Sequence, residues 1–214
     1  MIQHFERELT ATERALLESR AAALDTGHRR GPWQSLAVAF AVGAVLCAAT
    51  LAASDAPAAV IVPFWAAVMT MIGLWVGLES RRGFRRQAGY LRDGLRSNKA
   101  RVLRVQSAQV VEFEEVEDEG ACYAFQVTGD QMLFVCGQAY YADETFPNDD
   151  FSIVEVLASN DVVVEELMMK AGARIEPERR IPAGVKARLE IPQHLDVVRG
   201  DISNLEALLP AFSE

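Results

Sequence analysis

Two long apolar runs dominate the first half of the chain, and short alternating runs fill the second. From Ser35 to Ser54 the sequence reads SLAVAFAVGAVLCAATLAAS, twenty residues without a charge. A helix of that length rises roughly 30 Å, the thickness of a bilayer's hydrocarbon core. Ala58 to Leu78, AAVIVPFWAAVMTMIGLWVGL, is again uncharged, with Trp65 and Trp75 placed as interfacial or packing aromatics. Only Asp55, Ala56 and Pro57 separate the runs, so the pattern predicts a tight antiparallel transmembrane hairpin. A soluble helical pair would need a large protein shell that so short a chain does not supply. The small residues LAAS also resemble a signal-peptide cleavage region. However, the segment ahead of the first run is 34 residues long and the second run follows at once.

Helical signals flank the hairpin. TATERALLESRAAAL places Thr10 and Glu13 at capping-box spacing before helix-forming residues that continue to Gly27. After the second run, Phe84, Ala88, Leu91 and Leu95 recur at three- and four-residue spacing, one apolar stripe able to face lipid or another helix. Leu16, Leu17 and Leu24 are expected to pack on that basic helix. Beyond residue 100 the period shortens to two. VVEFEEV and CYAFQV flank a turn at Glu117 to Gly120, MLFVCGQAYY follows a turn at Thr128 to Asp130, and FSIVEVLA and VVVEELMM flank Ser159 to Asp161. These read as consecutive antiparallel strands. Val185 to Ile191, VKARLEI, alternates cleanly and predicts a further half-exposed strand. Ser203 and Glu206 suggest a capping box before a short C-terminal helix presenting Leu205, Leu208 and Phe212.

The expected architecture is an α+β membrane protein: an N-terminal helix over 1–34, the hairpin over 35–78, a basic juxtamembrane helix and linker over 79–104, and an acidic β-rich domain over 105–214. Six or seven strands and one helix suit a small antiparallel barrel or orthogonal sandwich.

Charge sharpens this division. Residues 1–104 hold 14 Lys or Arg against 8 Asp or Glu, while residues 105–214 hold 7 against 22. A basic segment is drawn to anionic membrane lipids and the acidic domain is repelled by them, and it is equally unsuited to nucleic acid. Arg7, Arg14, Arg20, Arg29 and Arg30 precede the first run, the connecting loop has no Arg or Lys, and Arg81, Arg82, Arg85 and Arg86 follow the second. Positive residues stay on the cytosolic side, so both termini are expected there. No charge lies inside either run, which argues against ion transport and for an anchor.

The candidate sites are few. Gly73 and Gly77 form a G-x-x-x-G pair suited to homo-oligomer formation, or to packing against Ala39 and Gly43 of the same hairpin. Glu112, Glu114, Glu115, Glu117, Asp118 and Glu119 make an acidic strand-and-turn surface for a basic protein partner. Asp143, Glu144, Asp149 and Asp150 bracket TFPN and offer oxygens to a hard cation, without the spacing of an EF-hand. Such residues otherwise form a solvated loop. Cys47, Cys122 and Cys136 read as reduced thiols, although a hairpin turning at Thr128 to Asp130 would set Cys122 opposite Cys136 if the register permits. His4, His28 and His194 are scattered and suggest no metal site. Arg199 to Asp201 spells RGD, more simply a strand end and a helix start. No Ser, Cys or His constellation marks an enzyme, and no cofactor is implied.

The segment EDEGACYAFQVTGDQMLFVCGQAYYADETFPNDDF resembles that of bacterial membrane proteins with a helical hairpin, whose function is unassigned. By architecture the chain is also similar to bacterial pleckstrin-homology-like proteins, seven strands closed by a C-terminal helix. It is similar too to two-helix β-barrel effectors of nucleotide-triggered phage defence. The first resemblance implies no activity, and the architecture itself leads to the expectation of a bacterial inner-membrane protein whose anchored domain is a binding or scaffold module for a protein or small ligand. The alternative is a ligand-triggered, membrane-disrupting effector that oligomerises through its hairpin at Gly73 and Gly77.

Overall fold

The computed structural model describes the backbone of residues 1–54 and 57–209, and the side chains of these except 28–32 and 206–207. Asp55, Phe212 and the side chains of His28, Arg29, Arg30 and Glu206, all named above, lie outside the described residues. The chain divides into two compact units: one of Met1–Arg7, Ala100–Glu155 and Glu166–Glu214, the other of Glu8–Lys99 and Val156–Glu165.

The helical unit is built on α1 (Ala11–Ala53) and α2 (Ala58–Ser97). The capping box forms as the sequence suggests, with the Thr10 hydroxyl accepting from Glu13 N–H and the Glu13 carboxylate accepting from Thr10 N–H. Glycines and small residues on facing sides let the helices approach. A Cβ on Gly73 would sit 3.2 Å from Ala39 Cβ and 3.3 Å from the Leu36 backbone, and one on Gly43 would strike Met69. Trp65 Nε1 donates to Thr50 Oγ1 at 3.1 Å, so the indole N–H is satisfied inside the pair. Toward the other end Arg92 pairs with Asp25 at 2.5 Å, and Leu17, Ala21, Ala88 and Leu91 are buried. The stripe on the basic helix therefore turns inward. Arg20 pairs with Glu165, and Asp93 accepts from both the backbone N–H and the hydroxyl of Ser159. Asn98 ends α2 in the left-handed conformation, its N–H bonded to Gly94 O.

The outer side of this pair is apolar. Val38, Val45, Val60, Phe64, Met71 and Trp75 are among the large hydrophobic side chains left exposed, and Val45, Met71 and Trp75 each keep 69% of their surface. Two helical stretches, Trp33–Ala53 and Ala58–Ser97, are long and apolar enough to cross a membrane, at mean hydropathies of 2.4 and 2.1.

The β elements form two sheets. One has four strands in the order β1 (Ile2–Glu8), β2 (Lys99–Gln106), β6 (Asp150–Leu157) and β7 (Val163–Lys170). The other has five, in the order β8 (Arg179–Ile181), β3 (Val110–Phe113), β4 (Ala121–Thr128), β5 (Gln131–Gly137) and β9 (Val197–Arg199). In the second sheet β3, β4 and β5 form an antiparallel meander, while β8 joins β3 in parallel. The domain is thus an open two-sheet arrangement and not the closed barrel considered above. Short β8 and β9 leave edges in place of closure.

Alternation explains why β4 and β5 read as nearly continuous apolar runs: both faces are buried. Tyr123, Phe125, Leu133 and Val135 point into a core shared with Leu103, Val105, Phe151 and Ile153 of the other sheet. Ala124, Met132, Phe134 and Cys136 point the opposite way, onto Ile181, Leu189, Ile202 and Leu205. That second face is covered by irregular segments, and here two expectations fail. Val185 to Ile191 is not a strand: after Pro182 the chain makes a single helical turn, α3 (Ala183–Lys186), and then runs irregularly. The alternation still matters, since Val185, Leu189 and Ile191 all pack on the sheet. Nor is Ser203 a helix N-cap, since it lies inside a 3-10 turn, Ile202–Asn204, that Asp201 caps. The Ser203 N–H and hydroxyl bond to Asp201, and the following helical turn, α4 (Leu205–Leu208), has no side-chain cap.

Candidate functional site

The two-residue loop at Gly129 and Asp130 sets the β4–β5 register, placing Cys122 opposite Cys136 and Tyr123 opposite Val135. The two cysteines are joined in a disulfide, with Cα atoms 4.0 Å apart. This corrects the expectation of reduced thiols, because the register that sequence left open falls on the pairing one. Cys47, on α1, is the free cysteine.

A cavity of about 420 Å³ opens beside this crosslink. The turn after β3 supplies Glu117, Glu119 and Gly120, and the segment after α3 supplies Leu189, Ile191 and His194. Gly120 sits at φ 87, and a Cβ there would collide with the backbone of Gly137 and Gln138. Its N–H bonds to Glu115 Oε1 at 2.9 Å, and Gln138 Nε2 donates to Asp118 O at 2.7 Å, so the turn is held against the end of β5. Lys186, almost fully buried, pairs with the exposed Glu119 at 3.0 Å across the cavity wall.

His194 ties the second wall to β5. Cys136 N–H donates to Nδ1 at 3.1 Å, which assigns the proton of the neutral ring to Nε2. Nε2 then lies 3.2 Å from Tyr140 Oη and 3.3 Å from each Glu166 carboxylate oxygen. Nothing in the local spacing announces this group: His194 follows Cys136 by 58 residues and lies in an irregular segment.

The acidic residues singled out above are mostly engaged. Glu112 pairs with Arg180 at 2.8 Å and lies opposite Tyr123, whose hydroxyl is pushed up to about 12 by burial first and by that carboxylate second. Glu114 accepts from Ala183 N–H at 3.1 Å. Asp143 accepts from Lys170 Nζ at 2.5 Å and from both the N–H and hydroxyl of Thr145, which hold its carboxyl well below the usual range. Asp149 accepts from Ala173 N–H, and Asp150 receives two bonds from Arg104, at 2.7 and 3.1 Å, and one from Gln106. Arg104 is the chief cause of the lowered Asp150 carboxyl. Asn148, buried, completes the loop by donating to Thr145 O and Gly172 O. The Asp143 and Asp149–Asp150 carboxylates therefore serve separate internal contacts, and Glu144 is exposed. Among the described residues no three His, Cys, Asp or Glu side chains converge as metal ligands would.

Arg81, Arg82, Arg85 and Arg86 are all exposed on α2, and Arg82 meets Glu79 at 3.5 Å. Gly43 and Gly73 are occupied by packing within the hairpin, and Gly77 is buried.

Compared with protein-family models, curated proteins and solved structures, the chain matches none.

Proposed function

We propose that the chain is a bacterial inner-membrane protein in which the hairpin anchors a non-catalytic binding module, with both termini cytosolic. The reading is supported by the outward apolar face of α1 and α2 followed by four exposed arginines, a pattern of lipid contact and then anionic headgroups. The module's site is the cavity beside Cys122 and Cys136, whose apolar wall and single buried Lys186 suit a small ligand or the tip of a partner segment. Gly73, engaged with Leu36 and Ala39, favours the anchor over the self-associating effector. On the cytosolic side the Cys122–Cys136 pair would be exposed to cellular thiols.

Reporters fused before Met1 and after Glu214 should both be cytosolic, and a periplasmic signal from the second would overturn the orientation. Native mass spectrometry of the chain released from its membranes should find a bound molecule that Ile191→Trp excludes. An identical spectrum from both proteins would remove the cavity as the binding site.

A further inference from the structure

We propose that Cys122–Cys136 is a thiol–disulfide exchange site that takes a low-molecular-weight thiol through the adjoining cavity, with Cys136 as the attacked sulfur and Cys122 as the leaving group. The inference goes beyond the binding role and holds on either side of the membrane.

Three observations converge on it. Both cysteines line a cavity of about 420 Å³, so the crosslink is reached from an opening and not sealed in the sheet. The two sulfurs are unequal, because Cys122 is only 2% exposed whereas Cys136 is half-buried. Access decides which sulfur a thiolate attacks. Finally, the Cys136 backbone is held by His194, which lines the same cavity and is itself fixed by Tyr140 and Glu166. Because Nδ1 accepts from the Cys136 backbone and Nε2 faces Glu166 and Tyr140, the ring positions Cys136 and is not aimed at its sulfur.

The chemistry balances with the thiol as reductant. A thiolate RS⁻ attacks Cys136 Sγ; the new S–S bond forms as the Cys136–Cys122 bond breaks, and the electron pair leaves on Cys122 Sγ, which takes a proton from water. A second RS⁻ attacks the sulfur of R in the mixed disulfide and releases the Cys136 thiolate. Two RSH become RSSR, and the protein disulfide becomes two thiols. The cavity's walls, the 116–120 turn and the segment ending at His194, leave room for a small thiol more readily than for a protein surface. Reduction then removes the covalent link from one side of the cavity, between strands that keep their backbone pairing.

The test uses the full-length chain in detergent, oxidised with diamide, exposed to millimolar reduced glutathione, quenched with an alkylating agent and peptide-mapped. The expected intermediate carries glutathione on Cys136 and the alkyl group on Cys122, about fivefold or more over the reverse adduct. In single variants, Cys136 of Cys122→Ser should react with oxidised glutathione about tenfold faster than Cys122 of Cys136→Ser. Three results would overturn the proposal: predominance of glutathione on Cys122, a crosslink that resists millimolar thiol, or reduction by a thioredoxin-type protein but by no small thiol. The first experiment needs no substitution, so it decides even if a variant misfolds.

Discussion

The helical pair and the β domain dispose of apolar surface in opposite ways. Along α1 and α2 the small residues Ala39, Gly43 and Gly73 face inward and the large ones, Val45, Phe64 and Trp75, face out. In the β domain the order is reversed: Tyr123, Phe125, Phe146 and Phe151 are buried together, with Phe125 and Phe151 ring centroids 4.9 Å apart. Water drives the second arrangement, since apolar area removed from it is stabilising in proportion to its extent. The first makes sense where the surroundings are themselves apolar, so close backbone approach decides which side chains face inward.

The largest effect that separates the two regions should come from Phe125→Ala. Removing a fully buried ring should cost the β domain about 3–5 kcal/mol, seen as a lower unfolding midpoint and faster amide exchange in β4 and β5. Membrane extraction should be unchanged. The converse substitution is Val45→Arg, which places a charge on the outward face of the first run and opposes insertion by about 3 kcal/mol. The alkaline-resistant membrane fraction should fall while exchange in β4 and β5 stays as before. Val162→Arg, at a similarly exposed valine in the β6–β7 turn, should have no such consequence.

A smaller effect tests the packing within the hairpin. Gly73→Leu must displace Leu36 and Ala39, whereas a Cβ on Gly83 would meet nothing within 4 Å. Crosslinking between cysteines placed at Val38 and Val76 should weaken for the first substitution and not for the second. Equal crosslinking in both would mean that Gly73 does not set the helix spacing.

The smallest effect is electrostatic. Arg104 holds the Asp150 carboxyl below its unfolded value, so its contribution is present above the ordinary carboxylate range and is lost as pH falls through the lowered folded value. The stability difference between the protein and Asp150→Asn should therefore be seen at about pH 6 and shrink below about pH 4. Both partners are partly solvated, so added salt should reduce it as well.

Sequence pattern reveals most of the helices and the central strands because both rest on local periodicity. The two apolar runs, the Thr10–Glu13 cap and the β4–β5 turn are each contained within a few residues of one another. The missing parts are those where distant segments decide. The stretch Val185 to Ile191 alternates like a strand, yet Pro182 and the demand to cover Phe134 and Met132 turn it into one helical turn and an irregular strap. Ile2–Glu8 forms β1 although its sequence shows little alternation, because its pairing is made with β2, far along the chain. In one dimension the acidic loop reads as a solvated loop or a cation site, and neither reading contains Lys170, Arg104 and Ala173, which reach it from elsewhere in the sequence. In sequence His194 is an isolated histidine, and nothing in the local pattern links it to Tyr140 or Glu166.

In the proposed arrangement the outward apolar face of α1 and α2 lies in lipid and the β domain in water. Nitroxide labels at Val45, Val60 and Trp75, and at Glu114 and Asp130 in the β domain, can be compared in vesicles on a Cys47→Ala background. Electron paramagnetic resonance relaxation by oxygen, which concentrates in the bilayer, and by a water-soluble nickel complex then reports each position's surroundings. Strong oxygen and weak nickel relaxation are expected at the three helix positions, and the reverse at Glu114 and Asp130. Strong nickel relaxation at Val45 and Trp75 would contradict that arrangement.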